Sequence, residues 1–186
     1  MTGDSGTVAV VATARPSAMQ SGWRWLPLAA AVVLADQLSK GWIERAFALY
    51  DSVAVLPVLD ITRLHNPGAA FSFLAGAGGW QRWAFTGLAL VVSGAILVWL
   101  RGIAARSQVA LASGLALILG GALGNVLDRI EHGYVVDFIH LHWGAAYFPA
   151  FNIADAAITV GAGLLLLDAF LEWRRERTSA RKGLAG

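Results

Sequence analysis

The chain has 186 residues, of which 57% are hydrophobic and only 14% are charged, and its mean hydropathy is +0.60. The length suggests a single domain, and the apolar content is high for a soluble globular protein. The chain has no cysteine, which excludes a thiol nucleophile, a disulfide framework and thiolate metal sites. The composition therefore favours an integral membrane protein whose chemistry is carried by other side chains.

The N-terminal segment, residues 1–22, is rich in small and polar residues and is predicted to be a disordered cytoplasmic arm. The first apolar block runs from Trp25 to Ala35, and its helical pattern continues to about Trp42. The block reaches the roughly 20 residues that cross a bilayer only if the polar extension 36–40 is included. A cleavable signal peptide is the alternative, because Arg24 precedes the apolar run. The continuing helical pattern argues against it.

The segment that follows has a different character. Residues 50–66 alternate apolar and β-branched residues with polar ones, a pattern that predicts short strands rather than a helix. His65-Asn66-Pro67-Gly68 is a turn by composition. Unpaired backbone groups cannot lie bare in lipid, so the outer segment, about 46–79, is predicted to form a small sheet on the membrane surface.

Three further apolar blocks follow, at Trp83–Leu100, Val109–Leu127 and Ile153–Phe170. Together with the first block they predict four transmembrane helices. The expected fold class is an α-helical integral membrane protein with a small extracytoplasmic β-sheet and loop subdomain. Residues 129–150, which are rich in aromatic side chains, are predicted to form an outer lid loop.

The distribution of Lys and Arg predicts the orientation of these helices, because an excess of both marks the cytoplasmic side. Both termini are therefore predicted to be cytoplasmic, and most of the acidic residues to lie outside. The sequence pI of 9.4 is explained by charges that flank the membrane, so no nucleic-acid partner is expected. The predicted cytoplasmic basic residues are Arg15, Arg24, Arg101, Arg106, Arg174, Arg175, Arg177, Arg181 and Lys182.

Two aspartates, Asp137 and Asp155, stand at the edges of apolar segments. A carboxylate at the border of the hydrocarbon is costly and is a functional-site candidate by default. These two lie at facing ends of successive membrane segments, so they could meet across one site. Paired carboxylates that share a proton can activate water for peptide hydrolysis.

A structural role competes with catalysis at one of the two positions. Asn152 followed by Asp155 resembles a capping box at the start of the fourth helix, and the spacing alone does not separate cap from catalysis. Asp137 lies in the β-like apolar run 135–139, where the sequence offers nothing obvious to stabilise a lone acid.

Two other polar groups have competing interpretations. Asp36, Lys40 and Glu44 follow i,i+4 spacing, which fits a surface ion-pair ladder or a functional cluster at the membrane edge. Asn125, Asp128 and Arg129 share one helix face, which fits side chains snorkelling to the interface. An Asn inside the apolar segment, however, requires partners within the bundle.

Other hydrolytic chemistries find weaker support. His140 and His142 form an H-x-H pair, but no third ligand follows at a diagnostic spacing, so no metal or other cofactor is expected. Ser39, Lys40 and Ser72 are residue types that a Ser/Lys hydrolase would use. There is no G-x-S-x-G motif, and the adjacent Ser39 and Lys40 point to different faces of a helix.

Five motifs in series resemble the lipoprotein signal peptidase family (signal peptidase II), over about residues 25–172 and in the family's order. They are Asp36-Gln37-Leu38-Ser39-Lys40, Asn66-Pro67-Gly68-Ala69-Ala70-Phe71-Ser72, Gly120-Gly121-Ala122-Leu123-Gly124-Asn125-Val126-Leu127-Asp128-Arg129, Gly133-Tyr134-Val135-Val136-Asp137-Phe138 and Phe151-Asn152-Ile153-Ala154-Asp155-Ala156.

The resemblance implies a bacterial aspartic endopeptidase that removes the signal peptide from prolipoproteins, cutting just before a cysteine that carries diacylglycerol. By motif, Asp137 and Asp155 match the catalytic pair. The positions that match the family's site-lining or supporting residues are Asp36, Lys40, Asn66, Asn125, Asp128, Arg129 and Asn152.

The resemblance also implies a location in the bacterial inner membrane, with the site near the outer face. We expect a membrane peptidase domain over residues 23–173, followed by a basic cytoplasmic tail over 174–186. The expected partners are prolipoproteins with a lipidated cysteine and membrane lipid, and the protein is expected to act as a monomer. A proton- or ion-coupled carrier subunit is the alternative function, because membrane acids can also relay charge.

Overall fold

The computed structural model describes residues 20–68 and 78–183, with side chains up to residue 180. The predicted arm over 1–22 lies outside the described residues except for 20–22. Ser72 and the remainder of the outer segment over 69–77 also lie outside them.

The described residues form four long helices and the four strands of one small sheet. A short 3-10 turn, Gly22–Trp25, leads into the first helix, and a β-hairpin precedes the second. The helices are α1 (Leu26–Ala46), α2 (Trp80–Gly102), α3 (Val109–Glu131) and α4 (Ile153–Gly183). The strands are β1 (Ser52–Leu56), β2 (Leu59–Asn66), β3 (Val135–Trp143) and β4 (Ala146–Tyr147).

Three helices, α2, α3 and α4, are long and apolar enough to cross a membrane. Helix α1 spans 21 residues and is continuous through Ala35, where the first apolar block ends. It does not reach the same apolar character, because Asp36, Lys40, Glu44 and Arg45 occupy its second half. Of the four predicted spans, composition and length therefore support three.

Helix α3 is the centre of the bundle and packs against α1, α2 and α4. In its most apolar window 67% of the residues are buried, against 22% in α2 and 17% in α4. The apolar surfaces of α2 and α4 therefore face outward, as expected of helices that contact lipid.

Glycines on α3 allow its neighbours to approach closely. A Cβ atom built at Gly114 would lie 2.8 Å from the carbonyl oxygen of Gly161, and one at Gly121 would overlap the carbonyl oxygen of Ala154. On the other flank, a Cβ at Gly120 would lie 2.6 Å from the carbonyl oxygen of Ala29 on α1. Small residues at such crossings let helix backbones pack by van der Waals contact within a membrane.

The four strands form one antiparallel sheet in the order β1-β2-β3-β4. The predicted strands in 50–66 and 135–139 are confirmed. His65 and Asn66 belong to β2, where they pair with Val136 and Val135, so the predicted turn begins later, at Pro67. The predicted lid segment, 129–150, contains β3 and β4 rather than a loop alone, because its backbone groups pair within the sheet.

Helix α4 continues past the end of its apolar stretch. It runs unbroken to Gly183 and so includes Arg174, Arg175 and Arg177. The guanidinium of Arg177 lies 4.5 Å from the ring centroid of Trp173, a cation–π contact that covers part of this exposed ring. The basic segment is therefore an extension of the last helix.

The packing of α3 on α4 predicts a large difference between two glycines of α4. A Cβ at Gly161 would lie 2.6 Å from the carbonyl oxygen of Gly114, whereas one at Gly163 would meet no atom within 4 Å. Gly161→Ala should lower the free energy of unfolding by about 1–3 kcal/mol, because a backbone must shift. Gly163→Ala, the matched control, should be neutral or slightly stabilising. Thermal unfolding in detergent, followed by tryptophan fluorescence, measures both. Equal melting temperatures for the two variants would contradict the packing argument.

Candidate active site

The polar residues that the sequence singles out converge at the end of the bundle that carries the sheet. The second half of α1, the C-terminal part of α3, the start of β3 and the first turn of α4 all contribute side chains. All of the predicted site residues lie among the described residues.

Asp137 is buried in β3, with 4% of its surface exposed. Its two carboxylate oxygens accept hydrogen bonds from the amide nitrogens of Asn66, at 3.0 Å, and Asn152, at 2.8 Å. These amides are the stabilising partners that the sequence did not reveal. Burial, followed by repulsion from Asp155, raises the pKa of Asp137 to about 7, although both amides and the charge of Lys40 oppose the rise.

Asp155 occupies the first turn of α4 and takes part in a reciprocal capping box. Its backbone N–H donates to Oδ1 of Asn152 at 2.9 Å, and its Oδ2 accepts from the backbone N–H of Asn152 at 3.4 Å. Its other oxygen, Oδ1, accepts from the amide of Asn125 at 2.8 Å. The cap thus exists and also directs the Asp155 carboxylate into the cluster, so the two interpretations are compatible.

Asn152 connects the two aspartates. It is fully buried, and its Nδ2 donates to Asp137 and lies within hydrogen-bonding distance of Oδ1 of Asn125, at 3.2 Å. Its Oδ1 receives the Asp155 N–H. One side chain therefore fixes a carboxylate on a strand relative to a carboxylate at a helix N-terminus.

A second cluster adjoins this pair through Asn125 and is centred on the ammonium group of Lys40. Lys40 Nζ is 2.7 Å from Oδ2 of Asp36 and 2.9 Å from Oδ2 of Asp128, and it donates to Oδ1 of Asn125 at 3.1 Å. Lys40, Asp36 and Asp128 are all at most 3% exposed. The interpretation of Asp36 and Lys40 as a surface ladder is therefore wrong, because both charges are enclosed by α3 and α4.

The ladder also does not extend to Glu44. The carboxylate of Glu44 lies 3.3 Å from the guanidinium of Arg63 on β2. Arg63 donates as well to the carbonyl oxygens of Glu44 and Phe47, at 3.1 and 3.0 Å. These contacts attach the sheet to the end of α1 and lie apart from the buried cluster.

Arg129 stands at the edge of the site. Its guanidinium donates to the carbonyl oxygens of Asn125, at 3.3 Å, and Gly68, at 3.1 Å, and lies 5.6 Å from the ring centroid of Phe85. Both Asp137 and Asp155 act on it electrostatically. The guanidinium of Arg129 is therefore bound by backbone carbonyls of the protein beside the site.

The two histidines on β3 contact side chains of the neighbouring strands. His140 and His142 both contact the ring of Tyr147, at centroid distances of 4.8 and 5.0 Å, and Nε2 of His142 lies 3.3 Å from the carboxylate of Asp60. His65 on β2 stacks on Tyr134 at 3.7 Å.

Sequence reasoning passed over one side chain of the buried cluster. Gln37 donates through Nε2 to Asp128 at 2.8 Å and lies 3.2 Å from both Asp36 Oδ2 and the carbonyl oxygen of Gly124. Its position beside Asp36 in a polar interruption of an apolar helix was the available signal, because polar side chains within a bundle seek partners on other helices.

The arrangement has a defined chemical capacity. One carboxyl, Asp137, holds its proton up to about pH 7, and a second carboxylate lies close enough to repel its charge. Two carboxyls of this kind can divide the roles of acid and base at neutral pH.

Comparisons with known proteins assign the chain to a family. A family model described as signal peptidase (SPase) II matches residues 28–171. The chain belongs to the signal peptidase II family. The lipoprotein signal peptidase of Shewanella pealeana is 51% identical over 159 residues, which are 86% of this chain and 93% of that protein. The lipoprotein signal peptidase of Shewanella amazonensis is 52% identical over 151 residues, or 81% and 89% of the two chains.

A solved structure of a bacterial membrane enzyme has a similar fold. A bacterial membrane enzyme determined by the in meso method at 2.3 Å resolution superposes with a TM-score of 0.71 and is 32% identical, covering 81% of this chain and 88% of that one. The family model and the relatives confirm the family resemblance in the sequence.

The hydrogen bond from Asn66 to Asp137 leads to a testable prediction about the pKa of Asp137. A donor to a carboxylate favours the charged form, so Asn66→Ala should raise the pKa of Asp137 further above about 7, by about one pH unit. Infrared titration of the protonated carboxyl band measures this, with Asp137→Asn used to assign the band. An unchanged or lower pKa would show that Asn66 does not stabilise the carboxylate.

Proposed function

We propose that this member of the signal peptidase II family is an aspartic endopeptidase, with Asp137 and Asp155 as its catalytic pair. It cleaves the signal peptide from diacylglyceryl-modified prolipoproteins, just before the lipidated cysteine, in lipoprotein maturation in the bacterial inner membrane. Family membership supports the peptidase activity and the prolipoprotein substrate. The catalytic type and the residues rest on the geometry of the site.

The observation that carries the proposal is the connection of both carboxyls through Asn152. Its amide donates to Asp137 and its carbonyl accepts the N–H of Asp155. Because Asp137 is buried and lies near the charge of Asp155, the pKa of Asp137 is raised to about 7 and this carboxyl retains its proton at neutral pH.

The proposed mechanism assigns a role to each carboxyl. Asp155, held by Asn125, acts as the base that takes a proton from the attacking water. Asp137, protonated, gives a proton to the carbonyl oxygen or to the leaving amine. Because the reaction needs the proton on Asp137, the rate should fall as the pH rises through about 7.

We further propose that α1 is the fourth membrane span and that both termini are cytoplasmic. The charges of Asp36 and Lys40, which lower the apolar character of α1, are buried and paired with each other, so they do not face lipid. The basic residues of the α2–α3 connection and of the end of α4 favour the cytoplasmic side for those ends. The sheet and the site then lie near the outer face.

The sheet presents apolar side chains that suit a lipid surface. Exposed residues on β1 include Val53, Val55 and Leu56, and Trp143 at the end of β3 is 82% exposed. Tyr147 and Phe148 are also more than half exposed. We propose that these residues contact membrane lipid and the acyl chains of the substrate, so that the lipidated cysteine reaches the site from the bilayer as the substrate of a monomer.

The alternative of a proton- or ion-coupled carrier subunit loses its support. The matching family and the relatives are peptidases by description. The ionisable residues of the site also gather at the sheet end of the bundle, whereas a relay would require polar groups through its depth.

Replacing either aspartate tests the catalytic pair. Asp137→Asn and Asp155→Asn should each reduce cleavage of a lipidated prolipoprotein by at least about 10³-fold, because the reaction loses its acid or its base. Cleavage in detergent, followed on a gel, measures this, with melting temperatures recorded in parallel. Asp60→Asn, which changes an aspartate on β2 away from the site, is the matched control and should retain activity. Appreciable turnover by Asp155→Asn with a lowered melting temperature would leave Asp155 as a cap only.

The lipid dependence of cleavage tests the proposed route of entry. A lipidated precursor should be cleaved far better than the same precursor without diacylglycerol, because each buried methylene contributes about 0.8 kcal/mol. Trp143→Ala and Tyr147→Ala should raise KM for the lipidated precursor with little change for the bare one. Paired assays in one detergent or bilayer system provide the comparison. Equal cleavage of the two precursors would exclude this route.

A further inference from the structure

Two buried carboxylates outside the proposed catalytic pair bind the backbone next to each member of that pair. Oδ1 of Asp36 accepts the backbone N–H of Ala154 at 2.9 Å, and Ala154 immediately precedes Asp155. Oδ2 of Asp128 accepts the backbone N–H of Val136 at 3.0 Å, and Val136 immediately precedes Asp137. Each carboxylate thus holds the chain one residue before an aspartate of the site.

The ammonium group of Lys40 joins these two attachments. It lies between Oδ2 of Asp36 and Oδ2 of Asp128, at 2.7 and 2.9 Å. Gln37 makes a second link, since its Nε2 lies 2.8 Å from Asp128 and 3.2 Å from Asp36. A continuous chain of charge-assisted hydrogen bonds therefore runs from the first turn of α4, through α1 and α3, to β3.

Burial constrains the geometry of this series of hydrogen bonds. An ion removed from water is stable only in a geometry that satisfies its bonding positions, and charge-assisted hydrogen bonds are short and strong. The N–H of Ala154 lies in the first turn of α4, where backbone donors have no partner within the helix. The contact with Asp36 therefore fixes the helix end without replacing a helical hydrogen bond.

We propose that Asp36, Lys40 and Asp128 form a positioning clamp that sets the separation of the two catalytic carboxyls by holding Ala154 and Val136. The three are positioning residues, since they act through the backbone beside Asp155 and Asp137. The inference rests on the proposed function, in which these two aspartates perform the chemistry.

A glycine on α3 shows how closely the clamp is enclosed. A Cβ atom built at Gly124 would lie 2.7 Å from Oδ2 of Asp36. Any side chain at this position must displace the carboxylate that holds Ala154. Gly120, one turn earlier on the same helix, would instead place its Cβ 2.6 Å from the carbonyl oxygen of Ala29, away from the clamp. The two glycines form a matched pair, because each alanine would press α3 against α1.

The cation of the clamp also acts on the proton of Asp137. The groups that act on Asp137 are Asp155 from α4, Asn152 just before α4, Asn66 from β2, Lys40 from α1 and Arg129 from α3. Among the charges, Lys40 lowers the pKa of Asp137 and Asp155 raises it. Loss of the Lys40 charge should therefore move the alkaline limb of the pH–rate profile to higher pH, which a purely structural role would not do.

The test compares kinetic constants of Lys40→Met, Gly124→Ala and Gly120→Ala on a lipidated prolipoprotein, at a temperature well below each melting temperature. Gly124→Ala should reduce kcat by about 10²-fold with little change in KM, because small displacements of reacting groups have effects of that order. Gly120→Ala should lower the melting temperature and keep kcat. Lys40→Met should reduce kcat similarly and shift the alkaline limb upward.

Lys40→Met leaves two buried carboxylates without a cation and can unfold the protein, so the glycine pair decides the matter by itself. A kcat for Gly124→Ala equal to that of Gly120→Ala would overturn the clamp, whether both values are unchanged or both are reduced. Activity in Asp137→Asn or Asp155→Asn would instead overturn the proposed catalytic pair. Inactive aspartate variants together with a fully active Gly124→Ala would reject the clamp alone.

Discussion

The burial of the Lys40 ammonium between two carboxylates is the interaction on which the site depends. A charge removed from water in an apolar bundle requires partners in exact geometry, and an unpaired buried ion is strongly destabilising. Asp36 and Asp128 therefore compensate Lys40, and Asn125 accepts its remaining hydrogen bond. Since these residues lie on α1 and α3, their contacts favour one register for the packing of the two helices.

The glycines of α3 make that register possible. Helix α3 contacts the three other helices, and Gly114, Gly120, Gly121 and Gly124 each lie where a Cβ atom would meet a neighbour. In a bilayer, lipid tails solvate apolar side chains as well as other helices do, so close backbone approach has to supply the association energy. The same small residues that pack the bundle also leave room for the carboxylate of Asp36.

Structural and chemical roles are combined in single residues at the junction of β3 and α4. Asn152 caps α4 and binds Asp137, while Asp155 completes the capping box and accepts from Asn125. A helix cap normally stabilises a terminus through one or two hydrogen bonds. Here it also fixes the direction of a carboxylate, so a site proposed for acid–base chemistry is held by the secondary structure that presents it.

Much of the outline followed from local sequence. Apolar blocks of membrane length predicted α2, α3 and α4, and alternation predicted the strands, because hydrophobic periodicity reflects the surface that each element buries. The aspartates were identifiable because charge is rare in such segments. Sequence did not show that Asp36 and Lys40 are enclosed, that Glu44 pairs with Arg63, or that Asn66 and Asn152 both serve Asp137. Except for the Asp36–Lys40 pair, these contacts join residues that are 15 or more positions from each other in the sequence. They exist only after helices and sheet have packed, since a local pattern records which face is buried but not what lies against it.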